Sequence, residues 1–233
     1  MESGKNSIRV VVDNVSLRDR TTQVLREAIL NLHFKPGQKL VERRLCEETG
    51  VSRTSVREAL RHLESEGLVT RVANRGMFVA ELGPDEARQI YEVRAVLEPA
   101  MARFFVERAS DEQVAALERV LARIEQAIAS RAVLSYVQEL SAFSDGLAEG
   151  AGNEVGRQLL NTLAARITYL RFITARAANE ERERVTLQVL RDIFAALRAR
   201  DADAAASRQT AYVERSAAFA QQVLADLKKT SNS

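Results

Sequence analysis

Glycine and proline divide the first 84 residues of this chain into short segments, which excludes a long helix there. The residues concerned are Pro36, Gly37, Gly50, Gly67, Gly76, Gly83 and Pro84. Proline disfavours helical backbone in the residue before it, and glycine tolerates the conformations that turns need. Beyond Pro84 glycine becomes sparse, alanine and leucine dominate, and charges alternate around apolar stripes. The 233 residues therefore predict two domains, with a boundary near residues 81–84.

The segments of the first domain predict three helices followed by a β-hairpin. The helices are expected over 17–34, 41–49 and 51–67, and the strands over 68–72 and 76–80. The apolar residues expected on one face of the first helix are Val24, Leu25, Ala28, Ile29 and Leu32. Gly50 is expected to end the second helix in a left-handed conformation. This order of elements is that of a winged helix-turn-helix.

The remainder of the chain predicts an all-α antiparallel bundle. Helices are expected at about 84–108, 111–130, 132–149, 154–178, 181–200 and 202–229. Ser110 precedes an acidic first turn and Asp201 precedes the last helix, so both are expected to cap the helices that follow them. Pro99 falls inside a helical pattern and is expected to kink or split that helix. Heptads are not sustained, which favours a compact bundle over a coiled coil.

The charge is distributed unevenly along the chain. Residues 1–80 carry 14 Lys and Arg against 10 Asp and Glu, whereas residues 81–233 carry 20 against 22. The basic first third is typical of a domain that meets a polyanion. No apolar run approaches the roughly 20 residues of a membrane span, and the N-terminus has no signal-peptide core. With a single cysteine, Cys46, the chain has no internal disulfide, and we expect a cytoplasmic protein.

The third helix combines an apolar face with an unusual first turn. The residues expected to face inward are Val56, Leu60 and Leu63, which leaves Arg53, Arg57 and Arg61 on the open side. Ser52 is positioned to cap this helix, so that the amides of its first turn can meet a phosphate. Arginine is well shaped to bind guanine O6 and N7 in the major groove of DNA. Solvated arginines on an ordinary exposed helix are the alternative, which the helix order and the basic domain disfavour.

The segment from Ser16 to Ala80 closely resembles the DNA-binding domain of GntR-family bacterial transcriptional regulators. The resemblance rests on "LVERRLCEETGVSRTSVREALRHLESEGLV" and on "RVANRGMFVA" in the hairpin. It implies that double-stranded DNA is contacted by three sets of residues. These are the base readers Arg43, Arg53 and Arg57, the phosphate contacts Ser52, Thr54 and Ser55, and the wing tip Asn74, Arg75 and Gly76.

The helical part resembles the FCD branch of the same family over roughly residues 85–220. The motifs that carry this resemblance are "YEVRAVLEPAMARFFVERAS", "FSDGLAEGAGN" and "LRARDADAAASRQTAYVERS". We therefore expect a flexible N-terminus at 1–15, a winged helix-turn-helix at 16–82, and an all-helical effector-binding and dimerisation domain at 83–230. The fold class is mainly α.

Many members of the FCD branch hold a divalent metal with one aspartate and three histidines. By motif alignment, those ligand positions fall here on Leu140, Ser144, Leu190 and Tyr212. Zinc and related metals need imidazole, thiolate or carboxylate donors, and the helical domain contains no histidine. We therefore expect no metal and no other cofactor.

A pocket can persist without its metal. Ser144 and Tyr212 would give it two hydroxyl groups, and the resemblance points Arg94 toward an effector, so a carboxylate ligand is expected. Arg166 is a weaker candidate for the same pocket. The sequence leaves an alternative open for Arg94, because Glu98 lies four residues later and can form a structural ion pair with it.

These features predict a homodimeric regulator, expected to act as a repressor, that binds a pseudo-palindromic operator and responds to a small organic acid. A ligand-free bundle that only dimerises, with constitutive DNA binding, is the alternative. Catalysis is not expected, because the helical domain has no histidine, no cysteine and no Glu-x-x-His pair for di-metal chemistry.

Overall fold

The computed structural model of the chain describes residues 17–31 and 33–231. The predicted flexible N-terminus, 1–15, lies outside the described residues, as does Leu32. Contacts divide the chain into two compact units, of which the first runs to Ser65 and resumes over Val69–Val79. The second comprises Glu66–Leu68 and the chain from Ala80 onward. The functional ranges 16–82 and 83–230 remain predictions, because compactness alone does not assign a role.

The first unit has the predicted winged helix-turn-helix order with one added strand. Its elements are α1 (Leu17–Leu30), β1 (Lys39–Leu40), α2 (Glu42–Thr49), α3 (Arg53–Ser65), β2 (Val69–Val72) and β3 (Gly76–Val79). The strands form an antiparallel sheet in the order β1-β3-β2, so the predicted hairpin is confirmed. The strand β1 was not predicted, because two residues are too few to show an alternating pattern.

Helix α1 is shorter than predicted. The amides of His33 and Phe34 both donate to the Ala28 carbonyl oxygen, which closes the helix before Pro36. Leu25 and Ile29 are buried, but Val24 is 53% exposed, so its assignment to the apolar face is wrong.

The core of the first unit holds α3 in place. Val56, Leu60 and Leu63 are fully buried, as their spacing predicts. α3 packs against α1, and α2 packs against α3 in turn. Gly50 ends α2 with φ of 70°, the left-handed conformation expected there. This arrangement leaves the opposite face of α3 exposed.

The second unit is all helical within the described residues. Its elements are α4 (Pro84–Arg108), α5 (Asp111–Ala129), α6 (Val133–Gly150), α7 (Glu154–Ala177), α8 (Glu180–Arg198) and α9 (Ala202–Ser231). α4 continues through Pro99, so the predicted split is wrong. The predicted caps are confirmed: Ser110 forms a capping box with Gln113, and Asp201 Oδ1 accepts a hydrogen bond from the Ala204 amide at 3.0 Å.

Helix α4 lies at the centre of the bundle. It packs mainly against α9 and also meets α6, α7 and α8. Its approach to α6 is close, because a Cβ atom added to Gly150 would lie 2.4 Å from the Phe105 ring. Arg94 and Glu98 on α4 are therefore enclosed by other helices. Within 17–31 and 33–231, no helix combines the length and apolar character that a membrane span requires.

Candidate DNA-binding surface and effector cavities

The first turn of α3 is capped as predicted. Ser52 Oγ accepts a hydrogen bond from the Ser55 amide at 3.2 Å and lies 3.0 Å from Ser55 Oγ. Ser52 and Thr54 are exposed, and Ser55 is half-buried. The first amides of a helix have no partner within it, so the N-terminus of α3 favours an anion.

Two arginines on the exposed face of α3 have different surroundings. Arg53 is exposed and forms no hydrogen bond or ion pair with any residue that the structure describes. Arg57 Nε lies 2.8 Å from each carboxylate oxygen of Glu42 on α2, and this hydrogen bond raises the pKa of the Arg57 guanidinium. Arg57 is therefore oriented by α2, whereas Arg53 is available to a ligand.

The remaining predicted DNA contacts are also on the surface. Arg43 on α2 is exposed, with Nε 3.7 Å from a Glu47 oxygen. At the tip of the hairpin, Asn74 and Gly76 have φ of 61° and 103°, which residues other than glycine and asparagine rarely adopt. Arg75 lies over the Phe78 ring, 5.4 Å from its centroid. The left-handed turn thus presents the wing tip to solvent.

In the bundle, Arg94 forms an ion pair with Glu98. Arg94 is 1% exposed, and its Nε donates to Glu98 Oε1 at 2.6 Å. Burial opposes both charges, but their mutual attraction outweighs it: the pKa of Arg94 is raised and that of Glu98 is lowered. Gln209 Nε2 also donates to Glu98 Oε2, at 2.8 Å. The structural ion pair, which the sequence left open, is the observed arrangement.

A second buried arginine, Arg171 on α7, has no such partner. It is 7% exposed, and its Nη1 and Nη2 donate to Ser141 and Ser144 hydroxyls at 3.1 and 2.6 Å. Among the described residues, no carboxylate oxygen lies within 4.0 Å of this guanidinium. Arg171 was not predicted as a site residue.

Two cavities lie on either side of Arg171, which lines both. The tyrosine cavity, of about 50 Å³, also includes Tyr91, Arg94, Tyr136, Arg182 and Tyr212. The serine cavity, of about 110 Å³, is lined by residues of α4, α6, α7 and α9 and includes Glu98, Ser141, Ser144, Asp145 and Gln209. Both cavities therefore combine a guanidinium group with hydroxyl groups.

Burial sets the protonation of the phenols in the tyrosine cavity. Desolvation raises the pKa of Tyr91 and of Tyr136, so both remain protonated hydrogen-bond donors at neutral pH. Burial and the neighbouring Arg215 lower the pKa of Arg182, which stacks 4.4 Å from the Phe219 ring centroid. The cavity thus offers donors to an acidic ligand.

The predicted effector residues do not form one group. Arg94 and Tyr212 line the tyrosine cavity, whereas Ser144 lines the serine cavity. Arg166 lines neither of them and has its Nη1 3.6 Å from a Glu86 oxygen. The two cavities share Arg171 rather than any residue that the sequence singled out.

Comparison with known proteins establishes the family. The family model for bacterial regulatory proteins of the gntR family matches residues 17–79, and the FCD domain model matches residues 89–215. The chain belongs to the GntR family and carries an FCD domain. It is a transcriptional regulator of that family.

Curated relatives and solved structures agree with this assignment. The chain is 31% identical to the Nta operon transcriptional regulator of Aminobacter aminovorans over 162 residues, 67% of this chain and 76% of the relative. It is 29% identical to the galactonate operon transcriptional repressor of Escherichia coli over 213 residues, 80% and 89% of the two chains.

Two solved structures share the fold. Escherichia coli McbR/YncC superposes with a TM-score of 0.77 at 22% identity, covering 90% of this chain and 99% of that one. A putative GntR transcriptional regulator from Rhodococcus sp. RHA1 gives a TM-score of 0.73 at 25% identity, covering 89% and 97%. Both similarities extend over both units.

The metal that many FCD members hold does not fit the residues found here. Leu140 and Leu190 are buried and carry no donor atom, and Tyr212 is a buried phenol. Ser144, at the remaining ligand position, accepts a hydrogen bond from the Arg171 guanidinium, whose positive charge opposes a cation. Among the described residues, no group of three His, Cys, Asp or Glu side chains could hold a metal ion.

The sequence does carry a signal for Arg171. It lies in "ITYLRFITA", where a single charge interrupts an apolar stretch of a long helix. Arginine is rarely buried unless it is paired, so an isolated charge among apolar residues indicates either a partner or a ligand. No comparable signal marks Gln209, because its neighbours on α9 are polar and small.

Proposed function

We propose that this regulator binds double-stranded operator DNA through α3 and the wing, and that a small organic acid in the bundle modulates this binding. The observation that carries the DNA half is the geometry of α3. Its apolar residues hold one face in the core, while the Ser52 cap and Arg53, whose side chain has no partner among the described residues, remain exposed at its start. This is how the recognition helix of a helix-turn-helix meets the major groove.

Within this proposal, each of the predicted DNA contacts has a role. Arg43, Arg53 and Arg57 read base edges, and Glu42 orients Arg57 before DNA is bound. Ser52, Thr54 and Ser55 approach phosphates. The wing tip formed by Asn74, Arg75 and Gly76 probes the minor groove or its backbone. Bidentate arginine contacts supply sequence preference, whereas phosphate contacts supply affinity for any duplex.

The effector half of the proposal is supported by the buried guanidinium group of Arg171. A carboxylate ligand would provide the direct ion-pair partner that Arg171 lacks among the described residues, and no metal is required to hold it. One relative is named for the galactonate operon, and galactonate is an organic acid. The same name describes a repressor, which supports repression as the mode of action.

We further propose that the protein acts as a homodimer on a pseudo-palindromic operator in the cytoplasm, by binding alone and without catalysis. A single recognition helix contacts few base pairs, and a two-fold arrangement doubles the site that is read. The effector would favour one arrangement of the bundle and thereby shift the relative placement of the two DNA-binding units.

Selection of operator sequences from random duplexes, followed by fluorescence anisotropy with and without carboxylic acids, tests the proposal. We expect a two-fold symmetric consensus and weaker binding when the effector is present. A carboxylate that binds without changing the affinity for the operator would contradict regulation by that ligand. If no carboxylic acid in a broad panel changes the affinity for the operator, the constitutive alternative is favoured. If metal salts stabilise the protein and EDTA reverses this stabilisation, the proposal of a metal-free bundle is contradicted.

A further inference from the structure

Buried polar atoms without partners point to the serine cavity. Three buried side-chain atoms among the described residues have no hydrogen-bond partner: Glu139 Oε2, Arg171 Nε and Gln209 Oε1. The last two belong to residues that line the same cavity. One of them is a donor and the other is an acceptor, and buried polar atoms of either kind are normally satisfied.

The orientation of both side chains is fixed by their other contacts. Arg171 donates hydrogen bonds to the Ser141 and Ser144 hydroxyl groups. Its Nε–H cannot turn to another protein group unless these two hydrogen bonds break. Gln209 donates through Nε2 to the Glu98 carboxylate, which only accepts. Its Oε1 is therefore the acceptor that remains. Gln209 is 4% exposed, so bulk water does not solvate this atom.

At the centre of the bundle, Arg171 also lacks a carboxylate partner within ion-pair distance among the described residues. Arg94 and Glu98 neutralise each other, whereas Arg171 meets only neutral hydroxyl groups directly. Asp145 and Glu98 line the cavity and attract the Arg171 guanidinium from a distance, but neither forms an ion pair with it. Arginine does not lose its proton in a protein, so its buried charge favours an anion beside it.

The size of the cavity suits a small ligand. About 110 Å³ is room for roughly four water molecules, which allows an acid of roughly two or three carbon atoms. A ligand that satisfies both orphan atoms must accept a hydrogen bond from Arg171 and donate one to Gln209. A simple carboxylate only accepts, and a neutral alcohol leaves the guanidinium without a counter-ion.

We propose that the serine cavity binds a compact hydroxy acid. Its carboxylate accepts from the Arg171 guanidinium, and its hydroxyl group donates to Gln209 Oε1. This inference rests on the proposed effector role of the bundle and names the ligand class and its receptor. Arg171 on α7 and Gln209 on α9 then join two helices through the ligand, and the fixed guanidinium makes a metal ion unnecessary.

Isothermal titration calorimetry on the full chain tests this pairing directly. The probes are the hydroxy acids glycolate, lactate and glycerate. Acetate and propionate are the counterparts of glycolate and lactate that lack the hydroxyl group. Inorganic phosphate serves as a different compact anion. We expect at least one hydroxy acid to bind at least tenfold more tightly than its partner without the hydroxyl group. No binding by any of the three hydroxy acids, equal binding by the simple acids, or tighter binding of phosphate would each overturn the proposal.

Two substitutions separate recognition from folding. Arg171→Met should abolish binding of every acid while leaving the melting temperature of the unliganded protein unchanged or higher, because a buried unpaired charge is removed. Gln209→Met should bring the lactate-to-propionate affinity ratio close to one. Arg184→Met, on the exposed surface of α8, removes the same charge as a control and should leave binding unchanged. Tight binding retained by Arg171→Met would overturn the assignment.

Failure of this inference can be distinguished from failure of the proposed function. A hydroxy acid that binds through Arg171 without altering the operator affinity would refute effector regulation while supporting the cavity assignment. Conversely, an operator response to an acid that persists in Arg171→Met would place the effector elsewhere and overturn the inference.

Discussion

Each unit of this regulator offers a contrast between two arginines, one that has a carboxylate partner and one that has none among the described residues. On α3 of the DNA-binding unit, Arg57 is paired with Glu42 and Arg53 has no partner among the described residues. In the bundle, Arg94 is paired with Glu98 and Arg171 has only two serines. The chemistry of the four side chains is the same, but their exposure to solvent differs.

This difference in exposure determines which ligand each unpaired arginine can take. Water solvates Arg53, so leaving it unpaired costs little, and a large polyanion such as DNA can approach it. Arg171 is buried, so an unpaired charge there is costly, and a molecule small enough for the adjoining cavity can reach it. The open surface thus suits a polymer and the enclosed site suits a compact anion.

The largest expected effect comes from removing the buried carboxylate partner. Glu98→Gln should lower the free energy of unfolding of the bundle by about 3–5 kcal/mol, because it leaves the Arg94 charge buried and uncompensated. Urea unfolding followed by circular dichroism measures this loss. The matched control is Glu42→Gln, which breaks an exposed pair and should leave the unfolding midpoint almost unchanged. Similar losses in the two variants would show that burial does not separate the two pairs.

The exposed unpaired arginine should affect DNA recognition rather than stability. Arg53→Ala should lose about 1–3 kcal/mol of discrimination between the operator and a random duplex, as expected for a bidentate contact to guanine. Arg61→Ala removes the same charge from the same helix and should weaken binding to both duplexes alike. Mobility-shift titrations at matched salt concentrations measure both. Full sequence preference in Arg53→Ala would contradict its role as a base reader.

A smaller effect is expected from the caps of the two units. Ser52→Ala and Ser110→Ala each remove a hydroxyl that accepts a hydrogen bond from a helix amide, at a cost of about 1 kcal/mol in stability. Only Ser52→Ala should also weaken DNA binding, for operator and random duplex equally, because Ser52 is predicted to contact phosphate. Thermal melts and mobility shifts on the two variants separate these effects. Equal DNA affinity for the two variants would remove Ser52 from the interface.

Local patterns predicted which face of α3 is exposed, because periodic burial fixes the direction of each side chain on a helix. Once Val56, Leu60 and Leu63 are assigned to the core, the positions of Arg53 and Arg57 follow from helix geometry alone. The caps at Ser52 and Ser110 are equally local, since each depends on an amide three residues away. The order of the elements was predictable for the same reason.

The bundle centre was not predictable in the same way, because its contacts join distant parts of the chain. Arg171 meets Ser144 from 27 residues away, and Gln209 meets Glu98 from 111 residues away. These contacts depend on how each helix is rotated, which a single sequence does not fix. The i+4 spacing of Arg94 and Glu98 was visible, but it is compatible with either an ion pair or a ligand site.

The smallest effect concerns the pH dependence of the buried pair. Burial favours the neutral form of Glu98, but the Arg94 guanidinium outweighs it and lowers the pKa of Glu98 below its ordinary value of 4.5. An acid with a lowered pKa in the folded state contributes stability that is fully present above its unfolded pKa and is lost as the pH falls through its folded pKa. The stability difference between wild type and Glu98→Gln should therefore be constant from pH 8 to about pH 5 and should shrink below pH 4.5. Urea unfolding at a series of pH values measures it. A difference that already shrinks at neutral pH would indicate a carboxyl group that is not held in its charged form by Arg94.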